Sequence, residues 1–124
     1  MALEQKQNPV DFNDIDVSDI DSFYDHKGIF EGTKFKHIDI SDWDVSNVKS
    51  MRQMFCWCKE LKSFGDISNW NVSNVTDMNH MFFRCKSFNQ DLSNWDVSNL
   101  NHLSYILSMF DNCPIKPEYK PKFK

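Results

Sequence analysis

The chain has 124 residues, of which 40% are hydrophobic, 15% are aromatic and three are glycine, a composition of one ordered domain and not of a disordered polymer. Its net charge of −4 speaks against nucleic acid as a partner. No stretch approaches the ~20 apolar residues of a membrane span, and residues 1–10 lack the apolar core of a secretion signal.

After an N-terminal tail at 1–10, residues 11–37 read as an N-terminal capping half-repeat. Ile15-Asp16-Val17-Ser18-Asp19-Ile20 aligns with the later Trp43-Asp44-Val45-Ser46-Asn47-Val48, with Ile15 in the tryptophan slot and Phe23 in that of Met51. End repeats turn one face to water, so drift is expected there. The stretch from Asp11 to Asp25 carries six aspartates and no lysine or arginine.

Three fuller units follow at 38–66, 67–91 and 92–113. Ile40-Ser41-Asp42-Trp43-Asp44-Val45-Ser46-Asn47-Val48 returns as Ile67-Ser68-Asn69-Trp70-Asn71-Val72-Ser73-Asn74-Val75, and again as Leu92-Ser93-Asn94-Trp95-Asp96-Val97-Ser98-Asn99-Leu100. A fixed repeat of this length predicts a stacked array in which no unit can bury its own apolar face. The tryptophans at 43, 70 and 95 are 27 and 25 residues apart. The longer step traces to an insertion near 59–65, which predicts a loop on one face.

Within each unit two periods alternate. Trp-x-Val alternates like a strand. Val48, Met51, Met54, Phe55 and Cys58, and likewise Val75, Met78, Met81, Phe82 and Cys85, carry the stripe of an amphipathic helix. Asn47, Asn74 and Asn99 precede these stripes, either as helix caps or as a column of amides bonding the neighbouring turn. The expected fold is therefore α/β: a leucine-rich-repeat-like solenoid of short parallel strands and helices, with the three indoles stacked in a shared dry interior.

The last unit drifts. Leu100, Leu103, Ile106, Leu107 and Phe110 prolong the apolar period and predict a final helix one turn longer, which Pro114 and Pro117 end. The Pro/Lys tail at 114–124 reads as a strap through Ile115, Tyr119 and Phe123, as a linker, or as a docking peptide.

The run Trp70-Asn71-Val72-Ser73-Asn74-Val75-Thr76-Asp77-Met78, followed by Met81-Phe82-Phe83-Arg84-Cys85-Lys86-Ser87-Phe88-Asn89-Gln90-Asp91, resembles the BspA-like leucine-rich repeat surface proteins of bacteria, the DUF285 type. The likeness covers about 38–113. It implies an α/β solenoid tied to protein binding or adhesion, displayed on a bacterial surface or secreted, and it implies no catalytic residues. Similar repeats also occur in viral and phage-borne genes. Two departures are the missing signal and the small number of repeats.

Leucine-rich solenoids bind partners on their strand face, which would carry Asp42, Asp44 and Ser46; Asn69, Asn71 and Ser73; and Asn94, Asp96 and Ser98. That face reads as a partner-binding strip or as a solvated sheet with side-chain ladders. Asp39, Asp42, Asp44 and Asp66 raise calcium, but the expected spacings are absent. Cys56-Trp57-Cys58 is not zinc spacing, and Cys58, Cys85 and Cys113 follow the repeat as buried small residues. His26, His37, His80 and His102 share no slot. No nucleophile elbow or phosphate loop occurs. The expectation is a non-enzymatic protein-protein interaction module with no cofactor and no metal. Its alternative is a structural or decoration subunit of a virus, phage or cell-surface assembly.

Overall fold

The computed structural model describes residues 9–100 and 108–122. Among the described residues regular elements are few. Strands β1 (Val10–Asp11) and β2 (Ile38–Asp39) pair in parallel, Val10 opposite Ile38 and Asp11 opposite Asp39, and a 3-10 turn covers Pro117–Tyr119. The expected α/β solenoid of helices and several strands is overturned: neither 48–58 nor 75–85 is helical, and the Trp-x-Val segments are not strands. Leu103, Ile106, Leu107, His102 and Phe123 lie outside the described residues, as do positions 1–8.

The reason lies in where the backbone N–H groups go. In 51–58 they alternate. Those of Met51, Gln53, Phe55 and Trp57 cross to the carbonyls of Asp77, Asn79, Met81 and Phe83 in the next unit, while those of Met54, Cys56 and Cys58 close turns on Met51, Gln53 and Phe55. A helix needs all of them for its own carbonyls four residues back. Gln53 and Trp57 have φ of 54° and 63°, and His80 and Arg84 have 58° and 61°, left-handed values that interrupt any right-handed helix. The next unit repeats the plan: Met81, Phe83 and Cys85 close turns, and Phe82 and Arg84 cross to Met109 and Asp111. Each unit is thus a layer of consecutive tight turns hydrogen-bonded to the layers beside it.

Side-chain columns run through the layers. Phe30, Phe55, Phe82 and Phe110 form a file of near-parallel rings with centroids 5.7, 5.5 and 5.4 Å apart, close to the ~4.8 Å spacing of hydrogen-bonded strands. Phe64 and Phe88 stack beside it at 4.9 Å. Trp43, Trp70 and Trp95 are buried, and the rings of Trp70 and Trp95 lie 6.2 Å apart within 8° of parallel. Each indole N–H donates to a main-chain carbonyl of the preceding layer, at Phe12, Ile40 and Ile67. Val45, Val72 and Val97 are buried with them.

The insertion at 59–65 does not loop out. Leu61 and Phe64 are fully buried, and the carbonyls of Ser63 and Phe64 accept from Ile38 and Ile40 while Lys62 N–H donates to Lys36. The tail straps the last layer. Ile115 and Pro121 are buried, Leu92 N–H donates to Tyr119 at 2.8 Å, and Lys116 N–H donates to Asn89 Oδ1 at 2.9 Å.

Candidate functional site

The polar strip is built from local turns. Asp44 Oδ1 accepts the backbone N–H and the hydroxyl of Ser46 at 3.0 and 2.6 Å. Asn71 takes the same pair from Ser73, and Asp96 from Ser98. Asp16 and Ser18 repeat the motif in the N-terminal layer. A second column does so at Asp39 and Ser41, Asp66 and Ser68, and Asp91 and Ser93. A carboxylate or amide accepting from the residue two on is the Asx turn. The serine hydroxyls, then the backbone N–H groups, hold the carboxyls of Asp16, Asp39, Asp44, Asp66 and Asp91 below the usual carboxylate range.

Asp42, Asp44, Asn69, Asn71, Asn94, Asp96 and Ser98 are exposed and Ser46 and Ser73 half-buried. The structure brings these nine residues into matching slots of adjoining layers. Asn47, Asn74 and Asn99 cap no helix. Their amides donate to the carbonyls of Ser18, Ser46 and Ser73 in the preceding layer, the amide-column alternative.

Another edge is unlike the strip. Gly32, Trp57, Arg84 and Asn112 occupy one slot, all left-handed, with φ of 71°, 63°, 61° and 58°. Glycine and asparagine suit that slot, whereas a bulky aromatic there is an outlier. Trp57 is nonetheless 42% exposed. Arg84 Cζ lies 4.5 Å and Lys59 Nζ 4.9 Å from its ring centre, within cation–π range. Phe83 meets the ring edge-on at 6.2 Å. A depression of about 290 Å³ lies alongside, lined by Gly32, Thr33, Lys34, Trp57, Lys59 and Glu60. Two positions past the left-handed slot come Lys34, Lys59 and Lys86, all exposed. The sequence carried two signals for this edge: Trp57 interrupts the repeat inside Cys56-Trp57-Cys58, and a lysine follows Thr33, Cys58 and Cys85 alike.

Most of the other reactive side chains are engaged in structure. The Cys58, Cys85 and Cys113 thiols point to the carbonyls of Phe30, Phe55 and Phe88 at 3.0, 2.8 and 3.8 Å. The contact with Cys58 and then burial push the Cys85 thiol far up. Burial raises Cys56 and pushes Cys113 up to about 11. His37 Nδ1 lies 2.8 Å from Ser63 Oγ, but the two residues are parallel bridge partners in adjacent layers, which accounts for the contact. His80 packs edge-on against Phe83, and His26 is solvent-exposed beside Asp25. Among the described residues no group of three His, Cys, Asp or Glu is placed to hold a metal ion, and no helix is long and apolar enough to cross a membrane.

The family profile described as "Mycoplasma protein of unknown function, DUF285" matches residues 2–117. The chain belongs to the DUF285 family. No curated protein and no solved structure matches it. The DUF285 match takes in the N-terminal layer and the strap up to Pro117 as well as the three fuller units.

Proposed function

We propose that this DUF285 chain is a non-enzymatic protein-interaction module whose contact centres on Trp57. The observation that carries the reading is an exposed tryptophan in a left-handed slot, bracketed by Arg84 and Lys59. Tryptophan and arginine are the side chains most enriched at the energetic centres of protein interfaces. The fold has no need of an indole there, since Gly32 and Asn112 fill the same slot. The non-enzymatic part draws support from the engaged thiols and from the cross-layer origin of the His37–Ser63 pair. Adhesion at a bacterial surface is the setting that the repeat resemblance suggests.

The strip of Asp42, Asp44, Ser46, Asn69, Asn71, Ser73, Asn94, Asp96 and Ser98 is the rival surface. The test is capture of proteins from the source organism by the immobilised chain, comparing the parent with Trp57→Asn and with a variant carrying Asp44→Lys, Asn71→Lys and Asp96→Lys. Loss of the captured protein with Trp57→Asn alone supports the reading. Undiminished capture by Trp57→Asn overturns it, and loss only in the strip variant moves the contact to the strip.

A second reading, a structural or decoration subunit, is favoured by the exposed Val10, Ile15, Ile29 and Phe35, all in the N-terminal layer. There the stack is a rigid spacer and its ends are the contacts. Light scattering that shows ordered end-to-end assembly would select this reading.

A further inference from the structure

Arg84 is held in place but not satisfied. Its guanidinium carbon lies 4.5 Å from the ring centre of Trp57 and 5.3 Å from that of Phe83. Two aromatic rings thus position a group whose N–H fork matches a carboxylate or a phosphate. Among the described residues its side chain donates no hydrogen bond and meets no carboxylate, and Nε is buried without an acceptor. A buried donor with no acceptor costs free energy. Nothing in the left-handed slot demands an arginine, since Gly32 and Asn112 also occupy it.

The surroundings carry the same sign. Lys59 Nζ lies 4.9 Å from the Trp57 ring centre, and Lys34 lines the depression beside it. Lys36 and Lys62 are exposed further along the same layers, and Lys86 is exposed two residues past Arg84. Of the nearby acids, Glu31 is committed, its carboxylate accepting from the Gly28 N–H at 2.9 Å. Glu60 lines the depression itself. Asp111 is exposed, and its main-chain carbonyl accepts from the Arg84 N–H at 2.9 Å.

We propose, resting on the reading of Trp57 as the contact, that the partner presents an acidic segment of protein, with a carboxylate gripped by Arg84 and Lys59 and an apolar side chain laid on the exposed indole. Charge complementarity sets the sign of the occupant. A carboxylate that reaches the remaining N–H groups of Arg84 makes charge-assisted bonds of fork geometry. The mixture of groups sets its class. Cations, an indole and the Glu60 carboxylate stand together, and a peptide can answer each with an acid, an apolar residue and a neutral or basic one. A uniform polyanion, whether nucleic acid or sulfated glycan, carries its charge past the cations onto Glu60 and Asp111, on a chain of net charge −4, and is disfavoured by the like sign.

The probe is the synthetic peptide acetyl-Glu-Glu-Leu-Glu-Glu-amide, compared with its Gln-Gln-Leu-Gln-Gln counterpart. The readout is the indole N–H resonance of Trp57, assigned by its loss in Trp57→Asn. The expected result is a shift with the glutamate peptide that fades as salt is added, and none with the glutamine peptide. Arg84→Asn combined with Lys59→Gln should weaken peptide binding about tenfold or more, through lost charge-assisted bonds. Arg84→Lys should fall between, because it keeps the charge and loses the fork. Asn112 shows that asparagine fits the slot, and thermal melting checks that the variants fold. A parent chain that does not bind the glutamate peptide overturns the proposal. So does binding untouched by the Arg84 and Lys59 changes, or heparin or oligothymidylate that binds more tightly than the peptide at equal charge. Capture from the source organism separates this proposal from the reading beneath it. A protein lost with Trp57→Asn but held undiminished by the Arg84 and Lys59 variant keeps Trp57 as the contact and overturns the acidic partner. Undiminished capture by Trp57→Asn overturns both.

Discussion

The indole N–H of Trp70 donates to the main-chain carbonyl of Ile40, thirty residues earlier, at 3.3 Å. One side chain thus fills the core of its own layer and ties it to the layer before. Trp70→Ala should cost ~3–5 kcal/mol, as large aromatic truncations do, and should melt the whole stack in one transition. Trp70→Phe should cost less, ~1–3 kcal/mol, chiefly for the carbonyl left without its donor. Chemical denaturation of both variants checks the order.

Two glycines should respond oppositely. A Cβ on Gly28 would sit 1.9 Å from the Gln53 carbonyl oxygen of the next layer, whereas one on Gly32 would meet nothing within 4 Å. Gly28→Ala therefore forces two layers apart and should destabilise by ~1–3 kcal/mol or more. Gly32→Asn should be nearly neutral, since Asn112 holds the equivalent slot at φ 58° and asparagine tolerates that conformation. Thermal midpoints of the two variants, measured side by side, decide it.

Acid should loosen the stack through its Asx turns. The carboxyls of Asp16, Asp39, Asp44, Asp66 and Asp91 titrate below their ordinary value in the folded chain. A depressed carboxyl contributes stability that is fully present above its unfolded pKa, ~3.9, and is lost as pH falls through the lower folded value. The midpoint should be level near neutrality and drop below about pH 4. Asp66→Asn should keep the neutral midpoint and flatten the acid limb.

Trp57→Asn should change stability by less than ~1 kcal/mol. Leaving a left-handed tryptophan behind regains part of ~1–2 kcal/mol, which offsets the two cation contacts at ~0.5–1 kcal/mol each. A loss well beyond that range would make Trp57 a structural residue.

The thiols should be slow to react in the native chain. All four cysteines are free, yet the raised thiols of Cys56, Cys85 and Cys113 keep their thiolates scarce at neutral pH, while Cys58, whose thiol the Cys85 contact holds below its ordinary value, is shielded by complete burial. Half-exposed Cys113 should be alkylated first, and faster as pH rises toward about 11. Mass spectrometry after timed alkylation reads the order.

Burial was legible in the sequence and backbone bonding was not. The columns of Trp43, Trp70 and Trp95, of Val45, Val72 and Val97, and of the methionines and phenylalanines all point inward as their spacing implies. The helix reading of 48–58 failed because overlapping turns return a side chain inward every three or four residues, just as a helix does. What separates the two is the left-handed backbone at Gln53, Trp57, His80 and Arg84, and none of these residue types announces it as glycine would. Trp-x-Val misled in a similar way. Its alternation is real, but Trp43 and Val48 close turns on Ile40 and Val45 rather than joining a ladder. The strip residues were legible as a set, because they repeat. The Trp57 edge was harder to see, because its slot holds four different side chains.

That variability at Gly32, Trp57, Arg84 and Asn112 has an evolutionary consequence. Neighbouring layers dictate the chain's path there through main-chain bonds, so the path is indifferent to what hangs from it. Such a socket lets a lineage exchange its outward lettering, one unit at a time, while the masonry behind stays the same.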